Sequence, residues 1–323
     1  MQRINIIKSD ATESYYDCFD EFEKTIVADQ RFHVNFRTTK ATGIKLYLLK
    51  IAVKLGVSFR WRSGGKRIRF AMLMGASFDK LFPAYWWKGD NYVYMYDAWP
   101  RFLPYIIKSC KALNIKTIFF SSHKSAEYFN KQASGINAYW IPEGIHVQEY
   151  KWRNYNDKNI DVLEFGRKYD MYHNAIAPAL ELESRVHLYE KVKGQVVFQT
   201  RADFIDALSR AKISVCVPSN ITNPERAEDI SSMTLRYLQS MVSKCLIVGV
   251  LPEEMKELFN YCPIIEIEEG RYAEQIVEVL NNYDQYIPLI EKNYQAVTES
   301  HTWDCRLTDI YKIITTENRN VVC

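Results

Sequence analysis

The sequence predicts an α/β protein built from two Rossmann-like, doubly wound domains facing across a cleft, and three observations carry that prediction. The chain has 323 residues, which at roughly 100–200 residues per domain favours two domains. From residue 68 onward, short apolar runs alternate with stretches of helical periodicity, the rhythm of a parallel sheet covered by helices. A polar stretch at 149–160, EYKWRNYNDKNI, interrupts that rhythm and reads as an interdomain linker. The expected domains are therefore 1–150 and 151–323, with function in the cleft outside the carboxyl ends of the strands.

The elements follow in order. Residues 44–55, IKLYLLKIAVKL, form a basic amphipathic helix, because Lys45, Lys50 and Lys54 break an apolar run at spacings of five and four. Continuous apolar runs make strands of 68–74 and 92–96; 100–113 is helical, 116–121 extended, 123–132 helical and 138–141 extended before Pro142, Glu143 and Gly144. The second series opens with a strand at 161–165, then a helix at 172–183 and extended segments at 186–189 and 196–198. A helix at 202–210, a strand at 213–217, a helix at 232–241 and a strand at 246–250 come next. Helix 252–259, strand 264–267, helices 271–282 and 284–299, and a closing helix at about 302–314 complete the chain.

Composition removes several classes. Hydrophobic residues make up 47% and charged residues 25%, close to soluble globular averages and far from disordered, collagen-like or coiled-coil sequences. No apolar run is long enough for a membrane-spanning helix. The opening MQRINIIK lacks the apolar core and cleavage site of a signal peptide, so the cytoplasm is the expected compartment. Seven cysteines lie scattered without paired spacing and read as buried thiols, and no two of the six histidines stand three or four residues apart. No metal or cofactor is expected.

Charge divides the chain. Residues 1–150 hold 22 Lys/Arg against 13 Asp/Glu, whereas the remainder holds 20 against 26. No acidic residue occurs between Asp29 and Asp79, where eleven Lys/Arg do, including the run Phe59-Arg60-Trp61-Arg62 and the cluster Lys66-Arg67-Ile68-Arg69. A basic amphipathic helix with aromatic and cationic flanks over residues 44–70 is the pattern of a segment on an anionic membrane surface, and its plainer reading is a core helix whose lysines snorkel to solvent. No nucleic-acid-binding motif accompanies the charge, and no nucleic-acid partner is expected.

The motif search is informative by exclusion. There is no P-loop, no Gly-x-Gly-x-x-Gly after a strand, no Gly-x-Ser-x-Gly elbow and no Asp-x-Asp pair. What remains are residues at predicted strand ends. Gly166, Arg167 and Lys168 follow a strand directly, a glycine for close backbone approach with two cations for a phosphate. Pro218 and Ser219 follow the next; Ser231 or Ser232 would cap a helix carrying Thr234, Arg236 and Gln239, whose first-turn amides favour an anion. In the first half, Asp97 and His123 also follow strands and are candidate bases.

The stretch 213–313 resembles the carboxyl-terminal nucleotide-sugar domain of group 1 glycosyltransferases of the GT-B fold, in particular the branch similar to spore-maturation glycosyltransferases. The resemblance is carried by ISVCVPSN at 213–220, TLRYLQSMVSKCLIVG at 234–249, CPIIEIEEG at 262–270, and TESHTWDCRLTDIYKII at 298–314 with its His-Thr-Trp and Arg306. It extends upstream to DVLEFGRKYD at 161–170, SSHKSAEYF at 121–129 and WIPEGIHVQEY at 140–150; residues 1–67 are not covered. The chain departs from that pattern where the family usually carries two glutamates eight positions apart, for here stand Ser231 and Gln239. The resemblance implies metal-independent transfer of a sugar from a nucleoside diphosphate donor, UDP- or GDP-linked, to a glycan, lipid-linked or other polysaccharide-precursor acceptor. It assigns the donor to the second domain and the acceptor to the first. Arg167, Lys168, Arg236 and the helix amides would stabilise the leaving diphosphate, while Asp97 or His123 would activate the acceptor hydroxyl. Competing readings are a non-catalytic nucleotide-binding or scaffold protein and a nucleotide-sugar epimerase. The location implied is cytoplasmic, with peripheral attachment to the membrane if residues 44–70 contact lipid.

Overall fold

The computed structural model describes residues 4–7, 17–33, 42–58, 67–82, 84–87, 89–192 and 197–320. In chain order the elements are β1 (Ile4–Ile7), α1 (Asp17–Ala28), β2 (Phe32–His33), α2 (Gly43–Leu55), β3 (Ile68–Met74), β4 (Asp90–Tyr96), α3 (Leu103–Ala112), β5 (Ile115–Phe120), α4 (His123–Gln132) and β6 (Asn137–Trp140). They continue with β7 (Ile160–Glu164), α5 (Asp170–Leu182), β8 (His187–Leu188), α6 (Arg201–Arg210), β9 (Ala211–Cys216), the single turns α7 (Ser219–Thr222) and α8 (Pro224–Ala227), and α9 (Leu235–Val242). Then come β10 (Leu246–Gly249), α10 (Glu253–Leu258), β11 (Ile265–Glu266), α11 (Tyr272–Asn281), α12 (Ile287–Ser300) and α13 (Trp303–Asn320). Residues 59–62 and 66 of the basic interval, and residue 196, lie outside the described residues.

The chain divides into two compact units, one of residues 1–143 with 303–323 and one of residues 144–302. The first holds a parallel sheet of order β2-β1-β3-β4-β5-β6. Its strands read as unbroken apolar runs because both faces are covered. Phe70, Tyr94 and Phe119 point to the layer holding α1 and α13, while Ala71, Val93, Met95, Ile118 and Phe120 meet α2, α3 and α4. β1, α1 and β2 were not anticipated: four- and two-residue strands are too short to show a period, and only pairing of Ile4 through Ile7 with Ile68 through Ala71 makes them a sheet.

The closing helix corrects the expected division at 150. Trp303, Leu307, Ile310 and Ile314 recur at helical spacing and are fully buried among the amino-terminal unit's residues. The Trp303 ring meets Phe22 edge-on at 4.7 Å and Tyr94 at 5.9 Å. Farther along, the Glu317 carboxylate accepts from Thr117, Asn137 and Tyr139 on that sheet.

The second unit holds a parallel sheet of order β11-β10-β9-β7-β8. The stretch 149–160 is not a loose linker but part of this unit. Tyr150 is buried, the Tyr155 hydroxyl donates to Glu291, and the Lys158 ammonium is enclosed by the carbonyls of Ser209, Ala211 and Ser243. Lys158 serves buried carbonyl acceptors, a use that composition alone does not distinguish from solvation. The thiols of Cys110, Cys216 and Cys245 are buried as expected, whereas Cys262 is exposed and Cys18 and Cys305 are half-buried.

Candidate functional site

β7 is flanked by β8 on one side and β9 on the other. Chain order therefore reverses between β7 and β9, the point at which open parallel sheets leave a crevice for ligands. Phe165, Gly166, Arg167 and Lys168 follow β7, and Val217, Pro218 and Ser219 follow β9. Arg236, in the first turn of α9, joins the two loops. Its Nη1 donates to the carbonyls of Phe165 and Arg167 at 3.2 Å each, and its Nη2 donates to the Val217 carbonyl at 3.0 Å. The planar fork of donors suits a guanidinium to this task and an ammonium poorly.

Gly166 permits that approach. Its φ is +73°, and a Cβ there would stand 3.2 Å from Cδ and 3.4 Å from Nη1 of Arg236. Beside it Arg167 is exposed, while Lys168 donates to the Glu190 carbonyl at 3.0 Å with its Nζ 5.4 Å from the Tyr189 ring centre. Pro218 and Ser219 are buried, and the Pro218 carbonyl accepts from the amides of Ile221 and Thr222 to turn the chain away from the strand end.

Three expectations about α9 change. The helix begins at Leu235 with Thr234 as its N-cap, so neither Ser231 nor Ser232 caps it. Ser232 is half-buried and Ser231 accepts weakly from the Glu253 amide at 3.4 Å. The physical reason is that the Met233 amide is taken by the Glu254 carboxylate at 3.0 Å, which helps hold the approach to the helix extended. The Thr234 hydroxyl makes no cap bond and is buried without a hydrogen-bond partner among the described residues. Gln239 does not accompany Arg236 to the strand-end loops: it is 3% exposed and its Nε2 donates to the Tyr150 hydroxyl at 2.9 Å. Glu254 went unnoticed in the sequence because nothing in LPEEMKEL marks one carboxylate among three as the one turned inward; it is 3% exposed.

In the first unit, Asp97 follows β4 and His123 opens α4 after β5, adjacent strands of the sheet. Asp97 is half-buried at φ +52°, a left-handed conformation that Asp tolerates better than most residues and that recurs at functional sites. The His123 ring lies 4.8 Å from that of Trp140, and the Ser125 hydroxyl donates to the Ala98 carbonyl at 2.8 Å, fastening the first turn of α4 to the loop that carries Asp97. The order reversal in this sheet falls between β1 and β3, so Asp97 and His123 belong to strands beyond it.

Local spacing gave no reason to expect a metal-ligating set, yet donor atoms from three elements converge: Glu164 at the end of β7, His173 on α5 and His187 on β8 lie within 4.8 Å of one another. Burial by itself would raise the Glu164 carboxyl; hydrogen bonds from the two imidazoles outweigh it and hold it below the ordinary range.

No protein-family model matches the chain, and no curated protein matches it by sequence. Solved structures do. Sucrose-phosphate synthase from Thermosynechococcus elongatus superposes with a TM-score of 0.58 at 10% identity, over 99% of this chain and 100% of its own. HepE of Anabaena, solved with UDP-glucose, gives 0.57 at 10% identity, over 98% and 100%. TarM gives 0.54 at 13% identity over 76% of this chain, which spans about half of TarM, 54%. At such identities the likeness is one of architecture, and with the two doubly wound units described above it fulfils the expectation of fold read from the sequence: the chain has the GT-B fold.

Proposed function

We propose that the protein transfers a sugar from a nucleoside diphosphate sugar to a hydroxyl-bearing acceptor, with the donor held by the second unit at the ends of β7 and β9. The observation that carries this reading is the Arg236 clasp over Gly166 at the sheet's switch point. Cleavage of a glycosyl phosphate bond develops negative charge on the departing diphosphate. Arg236 and the exposed Arg167 bring fixed cationic charge to that crevice, and the Leu235 and Arg236 amides that open α9 precede its first intrahelical bond, from the Tyr237 amide to the Thr234 carbonyl. The buried, unpartnered Thr234 hydroxyl adds a donor at the same helix end. A solved neighbour of the same fold, HepE, carries UDP-glucose, which supports a UDP-linked donor.

The acceptor belongs to the first unit. Asp97 or His123, as base, would take the hydroxyl proton and give inversion at the anomeric carbon; a retained anomer would remove both from that role. Lipid-linked acceptors fit the exposed flank of α2, where Ile44, Tyr47, Leu48 and Leu55 stand in solvent beside Lys45, Lys50 and Lys54. Such a surface would seat the protein peripherally on an anionic bilayer.

The test is release of nucleoside diphosphate from a sugar nucleotide when acceptor is added. Arg236→Ala should lower turnover by ~10²–10³-fold, the usual cost of one transition-state donor, while calorimetry with UDP and GDP identifies the base. Full turnover in that variant would sink the proposed site; nucleotide binding with no turnover on any acceptor would favour the non-catalytic reading.

A further inference from the structure

We propose that Glu164, His173 and His187 form a binding site for one divalent cation of the zinc class. The three residues come from a strand end, a helix and an edge strand, separated by 9 and 23 residues in sequence, so only the fold brings them together. His173 Nδ1 and His187 Nε2 stand 2.7 and 2.8 Å from the same oxygen of Glu164, Oε1. A carboxylate offers two oxygens as acceptors; here both rings address one, so the three donor atoms stand close together. The side chains are 3%, 11% and 7% exposed, and Tyr189 closes the group with its ring centre 4.6 Å from that of His173 and 4.5 Å from that of His187.

Two imidazole nitrogens and one carboxylate oxygen are the donor set of three-ligand zinc sites, and they suit a borderline ion better than magnesium or calcium, which prefer oxygen throughout. Ligands on a tetrahedral shell of about 2.0–2.1 Å radius stand roughly 3.3 Å apart. Each ring would therefore move away from Oε1 by only about 0.5 Å, within the reach of side-chain rotation. The proton now donated by each ring moves to its other nitrogen, so two neutral imidazoles bind without net proton release, and an imidazolium releases one. Bound there, the ion would fix the end of β7, α5 and β8 together directly before Phe165 and Gly166. This inference is independent of the sugar-transfer reading.

The experiment uses the full chain, stripped with a chelator and dialysed against metal-free buffer. Competition titration with zinc against a chromophoric chelator should give one tight equivalent per chain, accompanied by a zinc-dependent rise in Tm that chelator reverses. X-ray absorption at the zinc edge should show a first shell of nitrogen and oxygen without sulfur. His187→Gln and Glu164→Gln should each weaken binding by more than the ~10–100-fold that changes around a metal's ligands cost. Wild-type protein with no stoichiometric zinc, a shell containing sulfur, or unchanged affinity in both variants would overturn the site. Because the wild-type stoichiometry and spectrum stand alone, misfolding of a variant leaves the inference open to refutation.

Discussion

Replacing Gly166 by alanine should damage the protein in two separable ways. The first is local: at φ +73° a Cβ meets the carbonyl that follows, costing ~1–2 kcal/mol. The second passes through Arg236. The new methyl would stand 3.2 Å from its Cδ, so the side chain must shift by a few tenths of an ångström and stretch three bonds already at 3.0–3.2 Å. Hydrogen bonds to a charged donor contribute ~1.5–3 kcal/mol each when well made; those here are partly exposed, so weakening them adds about 1 kcal/mol. The single variant should therefore lose ~2–3 kcal/mol, or roughly 4–12 °C in the melting of the second unit at its size. In an Arg236→Ala background the second effect vanishes, leaving ~1–2 kcal/mol. A double-mutant cycle by thermal or urea denaturation measures the difference directly, with UDP affinity by calorimetry as a parallel readout. Additivity within ~0.3–0.5 kcal/mol would show that glycine is not there for Arg236, and the clasp as the organiser of the site would have to be abandoned.

Trp303→Ala removes a fully buried ring packed on Phe22 and Tyr94 and should cost ~3–5 kcal/mol, lowering the calorimetric transition of the amino-terminal unit; an unchanged transition would contradict the assignment of α13 to that unit. For Asp161, burial favours the neutral acid, but the Lys212 ammonium at 2.8 Å and the Val186 amide outweigh it and hold the carboxyl below its ordinary value. Its contribution is thus present above the unfolded value of about 3.9 and lost as pH falls through the lower folded one. The stability gap between wild type and Asp161→Asn should accordingly be constant from pH 7 to about pH 5 and narrow below about pH 4 in urea titrations; a gap that widens with acid would reverse the sign. Vesicles of anionic lipid should float the protein at low salt, neutral vesicles should not, and Lys45→Glu with Lys50→Glu should abolish flotation; equal flotation on both lipids would refute attachment through charge.

Much of the architecture was legible because a parallel sheet covered on both faces forces continuous apolar strands between amphipathic helices, as in IRFAMLM at β3 and YVYMY within β4. Gly166, Arg167, Pro218 and Ser219 were legible as residues after strands, whereas Arg236 was read as lying inside a helix begun at 232, and its reach to both loops had no local sign. Other features depend on contacts the sequence does not order. Neither Ser231 nor Ser232 stands at the N-cap, a position that falls to Thr234 without a side-chain cap bond, while a distant carboxylate, Glu254, claims the Met233 amide. Gln239 shares the helix of Arg236, yet its amide ends on Tyr150 in the interior.

From residue 68 onward the amino-acid order alone determined most of the strands and helices, that two doubly wound units arise, and where the strands hand over to loops, because those follow from local periodicity and backbone preference; β1, α1 and β2 escaped it. Tertiary structure decided that the last helix returns to the first unit, that 149–160 packs instead of spanning, and that Glu164, His173 and His187 meet. Each of these joins residues far apart in the chain, and such a juxtaposition has no local signature: it exists only once the sheets have fixed the elements in space.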